Sequence, residues 1–136
     1  MSGPDDMNDR RLLQVCAVLF AVLAISNFVK PLELHAHHGF VFLGVRQRGF
    51  WNLVLGPLAG IYLAVYASAV WRLRALAVPL GKLYAAWVVL NLVLFTVRMS
   101  DEALGRPIFG LVYAAIAIGV SSGCVALLTR NRALLR

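Results

Sequence analysis

Residues 51–71 read WNLVLGPLAGIYLAVYASAVW, and Arg72 follows them directly. The stretch holds no charged residue. Wound as an α-helix at about 1.5 Å per residue, it spans about 30 Å, the hydrocarbon thickness of a bilayer. Trp51 and Trp71 stand at its ends, where indole rings favour the headgroup boundary, and Arg72 and Arg74 follow in the next turn. In lipid every backbone polar group must be satisfied within the segment, so an apolar run of this length is a helix. A barrel strand would alternate polar and apolar residues, and this run does not.

Three further runs repeat the pattern, at 12–29, 80–99 and 107–129. The first stops at Lys30 and Pro31. The third opens at Pro79 and Gly81, with Lys82 in its first turn snorkelling back to the headgroups. The fourth begins at Pro107, where a missing N–H costs little. The expected fold is therefore an all-α integral membrane protein, a bundle of four transmembrane helices forming one domain over residues 1–136. Composition agrees: 61% of the residues are hydrophobic and the mean hydropathy is +0.80. A soluble domain is roughly 45–50% apolar. A chain of 136 residues buries only part of its surface in a water-surrounded core. The first run resembles a signal peptide, with Arg10 and Arg11 before it and a small-residue site at Ala24, Ile25 and Ser26, but Asp5, Asp6 and Asp9 are wrong for its flank, so it is read as a retained anchor.

A net charge of +7 would suggest nucleic acid in a soluble protein. Here no basic run is long enough for that, and the charge falls in the connections. Arg10, Arg11, Arg72, Arg74, Lys82, Arg130, Arg132 and Arg136 lie on one face, against Lys30, Arg46, Arg48, Arg98 and Arg106 on the other. Eight bases against five predict an N-in, C-in orientation, with the longer 30–50 connection outside. The Arg, Ala, Leu and Val load points to a bacterial inner membrane.

Small residues at four-residue spacing mark the helix contacts. Gly56, Gly60, Ala64 and Ser68 form one stripe on the second helix, with Leu63 read as lipid-facing; Ala115, Gly119 and Gly123 form another on the fourth. Such stripes let backbones approach closely, which matters where no hydrophobic effect drives helices together. Pro57 is expected to kink its helix. Asn27 and Asn91 sit at membrane depth and are expected to act as interhelical glue. These faces serve the bundle itself, a homo-oligomer or a larger membrane complex.

Chemistry concentrates at the outer face. Glu33, His35, His37 and His38 fall in the run ELHAHH, and Asp101 and Glu102 emerge on the same face. Imidazole and carboxylate together suit a divalent transition metal, and alternate residues of an extended segment share a side. The same loop also reads as a solvated interfacial connection, folded over the bundle by the apolar residues 40–45. Arg98 is either a snorkelling helix end or a site for an anion or lipid headgroup beneath that loop. Cys16 and Cys124 lack a Cys-x-x-Cys spacing and read as two small buried thiols that could be neighbours. No acid lies within a span, which disfavours a proton-coupled transporter. No span carries a histidine for a membrane haem, and no nucleophile–base set is present. Two functions follow as expectations: a non-catalytic subunit or assembly factor of a larger membrane complex, or a small enzyme or metal-handling protein with the outer-face His/carboxylate site.

Overall fold

The computed structural model describes residues 4–32, 41–98 and 107–136. Its frame is four helices, α1 (Pro4–Val29), α2 (Phe50–Trp71), α3 (Ala77–Arg98) and α4 (Pro107–Arg130). Each is long and apolar enough to cross a membrane. Their limits match the sequence reading to within three residues, except that α1 starts eight residues earlier, at Pro4. α1 begins at Pro4, whose missing N–H costs little at a helix start. α3 begins at Ala77, so Pro79 occupies its first turn and Gly81 lies inside it. α2 runs unbroken through Pro57.

The packing falls into two helical hairpins. α1 lies against α2 and α3 against α4, with lighter contact between the pairs through α1–α4 and α2–α3. On α1 the buried residues are Leu13, Ala17, Phe20, Ala24 and Asn27, in alternating steps of four and three. That alternation keeps one seam in register with a partner helix. On α2 the buried line is Asn52, Gly56, Gly60, Leu63, Ala67 and Val70. Gly56 and Gly60 mark the close approach. A Cβ on Gly60 would lie 3.1 Å from the Ala24 carbonyl oxygen and 2.9 Å from the Phe28 ring, and one on Gly56 would lie 3.0 Å from the Asn27 carbonyl oxygen.

The α2 stripe expected from sequence therefore needs correction in its second half. Ala64 and Ser68 are exposed, and Leu63, read as lipid-facing, is buried. The reason is helical phase. Each four-residue step overshoots a full turn by about 40°, so a strict i, i+4 line drifts off the interface unless three-residue steps correct it. Leu63 and Val70 are those corrections.

One end of the bundle gathers the start of α1, the α2–α3 corner and the chain after α4. The Asn131 amide donates to Asp9 Oδ2 at 2.8 Å, and Arg130 Nε lies 4.0 Å from the same oxygen. Beyond a short 3-10 turn at Arg132–Leu134, the Arg136 N–H donates to the Leu73 carbonyl at 2.8 Å. The Ala75 N–H donates in return to the Arg136 carbonyl oxygen at 2.9 Å. This two-bond clasp ties the tail to the corner, where Leu73 takes a left-handed conformation with φ 53°.

At the opposite end the α1–α2 connection does not simply lie over the bundle. A 3-10 turn at Lys30–Leu32 closes α1, and Val41–Phe42 (β1) pairs antiparallel with Val45–Arg46 (β2). Leu43 and Gly44 form the two-residue turn with φ values of 49° and 77°. Positive φ at both central positions is the type I′ hairpin geometry that matches strand twist. Gly44 is pressed against the α3 backbone at Leu94 and Phe95, leaving no room for a Cβ.

Candidate functional site

The hairpin is held by Asn91. Its Nδ2 donates to the Val41 carbonyl at 3.0 Å, and its Oδ1 accepts from the Gly44 N–H at 3.0 Å. Phe42 adds a tilted ring contact to Trp87 at 5.1 Å. Asn91 lies seven residues inside the end of α3 at Arg98, about 10 Å along the axis. The hairpin tip thus enters the depth of the apolar span. Non-helical backbone is tolerated there only when protein satisfies its polar groups, and Asn91 satisfies two of them. Its role differs from the expected helix-to-helix glue: it binds the re-entrant hairpin. Asn27 donates to the Leu23 carbonyl of its own helix at 2.9 Å, and its backbone carbonyl faces Gly56 on α2.

All four helices converge on a second cluster. Cys16 and Phe20 come from α1, Tyr62 and Tyr66 from α2, Gly81 and Tyr84 from α3, and Cys124 from α4. The Tyr66 hydroxyl donates to Cys124 Sγ at 3.3 Å, and the Cys16 thiol neighbours Cys124. The Tyr62 hydroxyl donates to the Leu80 carbonyl at 2.6 Å. Phe20 meets Tyr66 in a tilted contact at 4.7 Å and Tyr84 edge-on at 5.6 Å. Gly81 makes the space: a Cβ there would come 2.6 Å from the Tyr66 hydroxyl. Tyr66 is completely buried and Cys124 nearly so. Among the described residues no imidazole or carboxylate belongs to the cluster. The neighbouring of the two cysteines was open from sequence. The tyrosines were not singled out, although Tyr62 and Tyr66, four residues apart, share a helix face.

α4 presents the opposite case. Ser121, Cys124 and Leu128 are buried, and Ala115, Gly119, Ser122, Gly123 and Ala126 are exposed about 180° around the helix. Nothing lies within 4 Å of a Cβ built on Gly119 or Gly123. The two small-residue stripes therefore have different surroundings: Gly56 and Gly60 meet α1, and the α4 stripe meets no other part of the described chain. Burial follows the same division, with 39% of the apolar window of α2 buried against 6% for α3 and 17% for α4.

Glu33, His35, His37, His38, Asp101 and Glu102 lie outside the described residues, as does any approach between them. Among the described residues no group of three or more His, Cys, Asp and Glu side chains is placed to hold a metal ion. Arg98 is exposed at the end of α3.

Fold and site together define a small all-helical integral membrane protein, with four apolar helices and a core of aromatic rings and thiols. No family model, no curated protein and no solved structure matches the chain.

Proposed function

We propose that this chain is a non-catalytic subunit or assembly factor that joins a larger membrane assembly through the exposed small-residue face of α4. The open surroundings of Gly119 and Gly123 carry the reading. Small residues on a membrane helix allow a second backbone to approach closely, and among the described residues that opportunity is used on α2 but not on α4. The occupant is a transmembrane helix, from a second copy or from a partner subunit.

Gly119→Leu combined with Gly123→Leu is the test. Both positions have free space, so the variant folds and stays monodisperse in detergent. Its association, read by copurification from native membranes and by crosslinking in the bilayer, is expected to fall at least tenfold. Undiminished association, or wild-type protein that is monomeric and without a stoichiometric companion, overturns the proposal.

The orientation belongs to the same proposal: both termini in the cytoplasm of a bacterial inner membrane. The base asymmetry and the shared end of residues 9, 75, 131 and 136 support it. Reporter fusions at residue 136 and within 41–48 are expected to report cytoplasmic and external positions respectively. An external C-terminus reverses the assignment.

A further inference from the structure

Where α1 begins, α2 ends and the tail returns, three arginines from three separate segments border one cleft. Its walls are Met7, Arg10, Arg72, Leu73, Ala133, Leu134 and Arg136, and its volume is about 480 Å³. That lies within the roughly 300–1,000 Å³ range of small-molecule sites. We infer that this cleft binds a phosphate group, and that its occupant is the headgroup of an anionic phospholipid.

The charge is unbalanced at this place. Among the described residues no acidic side chain lines the cleft, and the nearby Asp9 side chain is turned toward Asn131 and Arg130. Three guanidinium groups around one opening repel one another, and an anion between them reverses the sign of that interaction. Planar guanidiniums also match phosphate oxygens in pairs, which a lysine cannot do.

The arginines are placed by backbone, not by loose side-chain chance. Arg10 stands on α1. Arg72 follows α2, where its N–H donates to the Ser68 carbonyl at 3.0 Å. Arg136 is set by the two-bond clasp to Leu73 and Ala75. All three remain exposed enough to reach a ligand.

The remaining walls select the source of the phosphate. Met7, Leu73, Ala133 and Leu134 form an apolar side that a hydrated inorganic ion would not use, whereas a lipid's glycerol and upper acyl chain would. Exposed Trp71, beside Arg72, marks the depth of the headgroups. Basic pockets between helices at this level are the physical form that headgroup recognition takes. The inference is independent of the α4 face and of which leaflet is involved.

The experiment uses the full chain in nanodiscs containing spin-labelled phosphatidylglycerol or spin-labelled phosphatidylcholine, and reads the relative association constant of each. Wild-type protein is expected to prefer phosphatidylglycerol. Each of Arg10→Gln, Arg72→Gln and Arg136→Gln should lower that preference roughly fivefold, the effect of about one surface charge. Arg72→Lys, which keeps the charge and loses the paired geometry, should fall between. Arg98→Gln at the opposite end should change nothing. Arg10→Gln guards against misfolding, because α1 is held by its buried seam and not by this side chain. An equal drop with Arg98→Gln overturns the site in favour of diffuse charge. Displacement of the lipid by millimolar inorganic phosphate overturns the lipid occupant in favour of a soluble anion.

Discussion

Gly60→Leu is expected to prevent α1 and α2 from closing and to leave little monodisperse protein in detergent. The warrant is backbone contact. A Cβ at this position already meets the Phe28 ring at 2.9 Å and the Ala24 carbonyl oxygen at 3.1 Å, and a leucine extends three carbons further. The ring can turn, but the carbonyl belongs to a helix and moves only if the whole seam opens. Overpacking a relaxed core costs about 1–3 kcal/mol, and here the larger end of that range or beyond applies because backbone is the obstacle. Leu58→Ala is the control. Leu58 is 55% exposed on the same helix, so its truncation should change stability by less than about 0.5 kcal/mol. Leu63→Ala is not a neutral control, since Leu63 is 2% exposed and its loss should cost about 2–5 kcal/mol. Denaturation midpoints in mixed micelles order the three variants. Equal midpoints for Gly60→Leu and Leu58→Ala would show that the two helices do not meet at Gly60.

The second large effect is expected at the re-entrant hairpin. Asn91→Leu removes one donor and one acceptor, leaving the Val41 carbonyl and the Gly44 N–H at membrane depth without their side-chain partner. Each such group costs about 1–3 kcal/mol, so the hairpin should leave α3. Gly44→Ala should give the same outcome by a different route. Its φ of 77° is unfavourable for a residue with a Cβ, and that Cβ would press into the α3 backbone at Leu94. Displacement is measured by placing a cysteine at Leu43 and following its reaction with a membrane-impermeant maleimide. Both substitutions should accelerate labelling at least tenfold over the otherwise native chain. Thr96→Val serves as the control, because the Thr96 hydroxyl bonds only to its own helix at Leu92. Labelling unchanged by Asn91→Leu would mean that the hairpin is held by something other than this amide.

The two effects separate what assembles the bundle from what caps it. α1 and α2 form a seam with close backbones, while α3 and α4 make the thinner, more exposed half. The hairpin held at Asn91 ties the α1–α2 connection to that second half, and the tail clasp at Leu73 ties the opposite end. The thiol–phenol cluster is where the two halves share a buried polar surface. The Tyr66–Cys124 bond joins α2 to α4, and Cys16 of α1 neighbours it.

Much of this was readable along the chain. The four apolar runs had to be helices, because length and the absence of charge decide both the solvent and the secondary structure. Gly56 and Gly60 were recognisable because only a missing side chain permits such approach. The metal reading of Glu33, His35, His37, His38, Asp101 and Glu102 concerns residues outside those described. The errors have a common cause. Ala64, Ser68 and Leu63 were assigned by a constant spacing of four, yet a seam between two twisting helices alternates fours and threes, and the choice of step depends on the neighbour. Asn91 was recognisably in need of a partner. Its partner is 47 to 50 residues away, in a turn whose insertion depends on space beside α3. The cysteine pair and the arginine cleft share that character. Local periodicity and charge state what each helix can bury and where it must end. Which groups meet is set by the relative rotation and depth of helices, and those are properties of contacts between segments that no single segment contains.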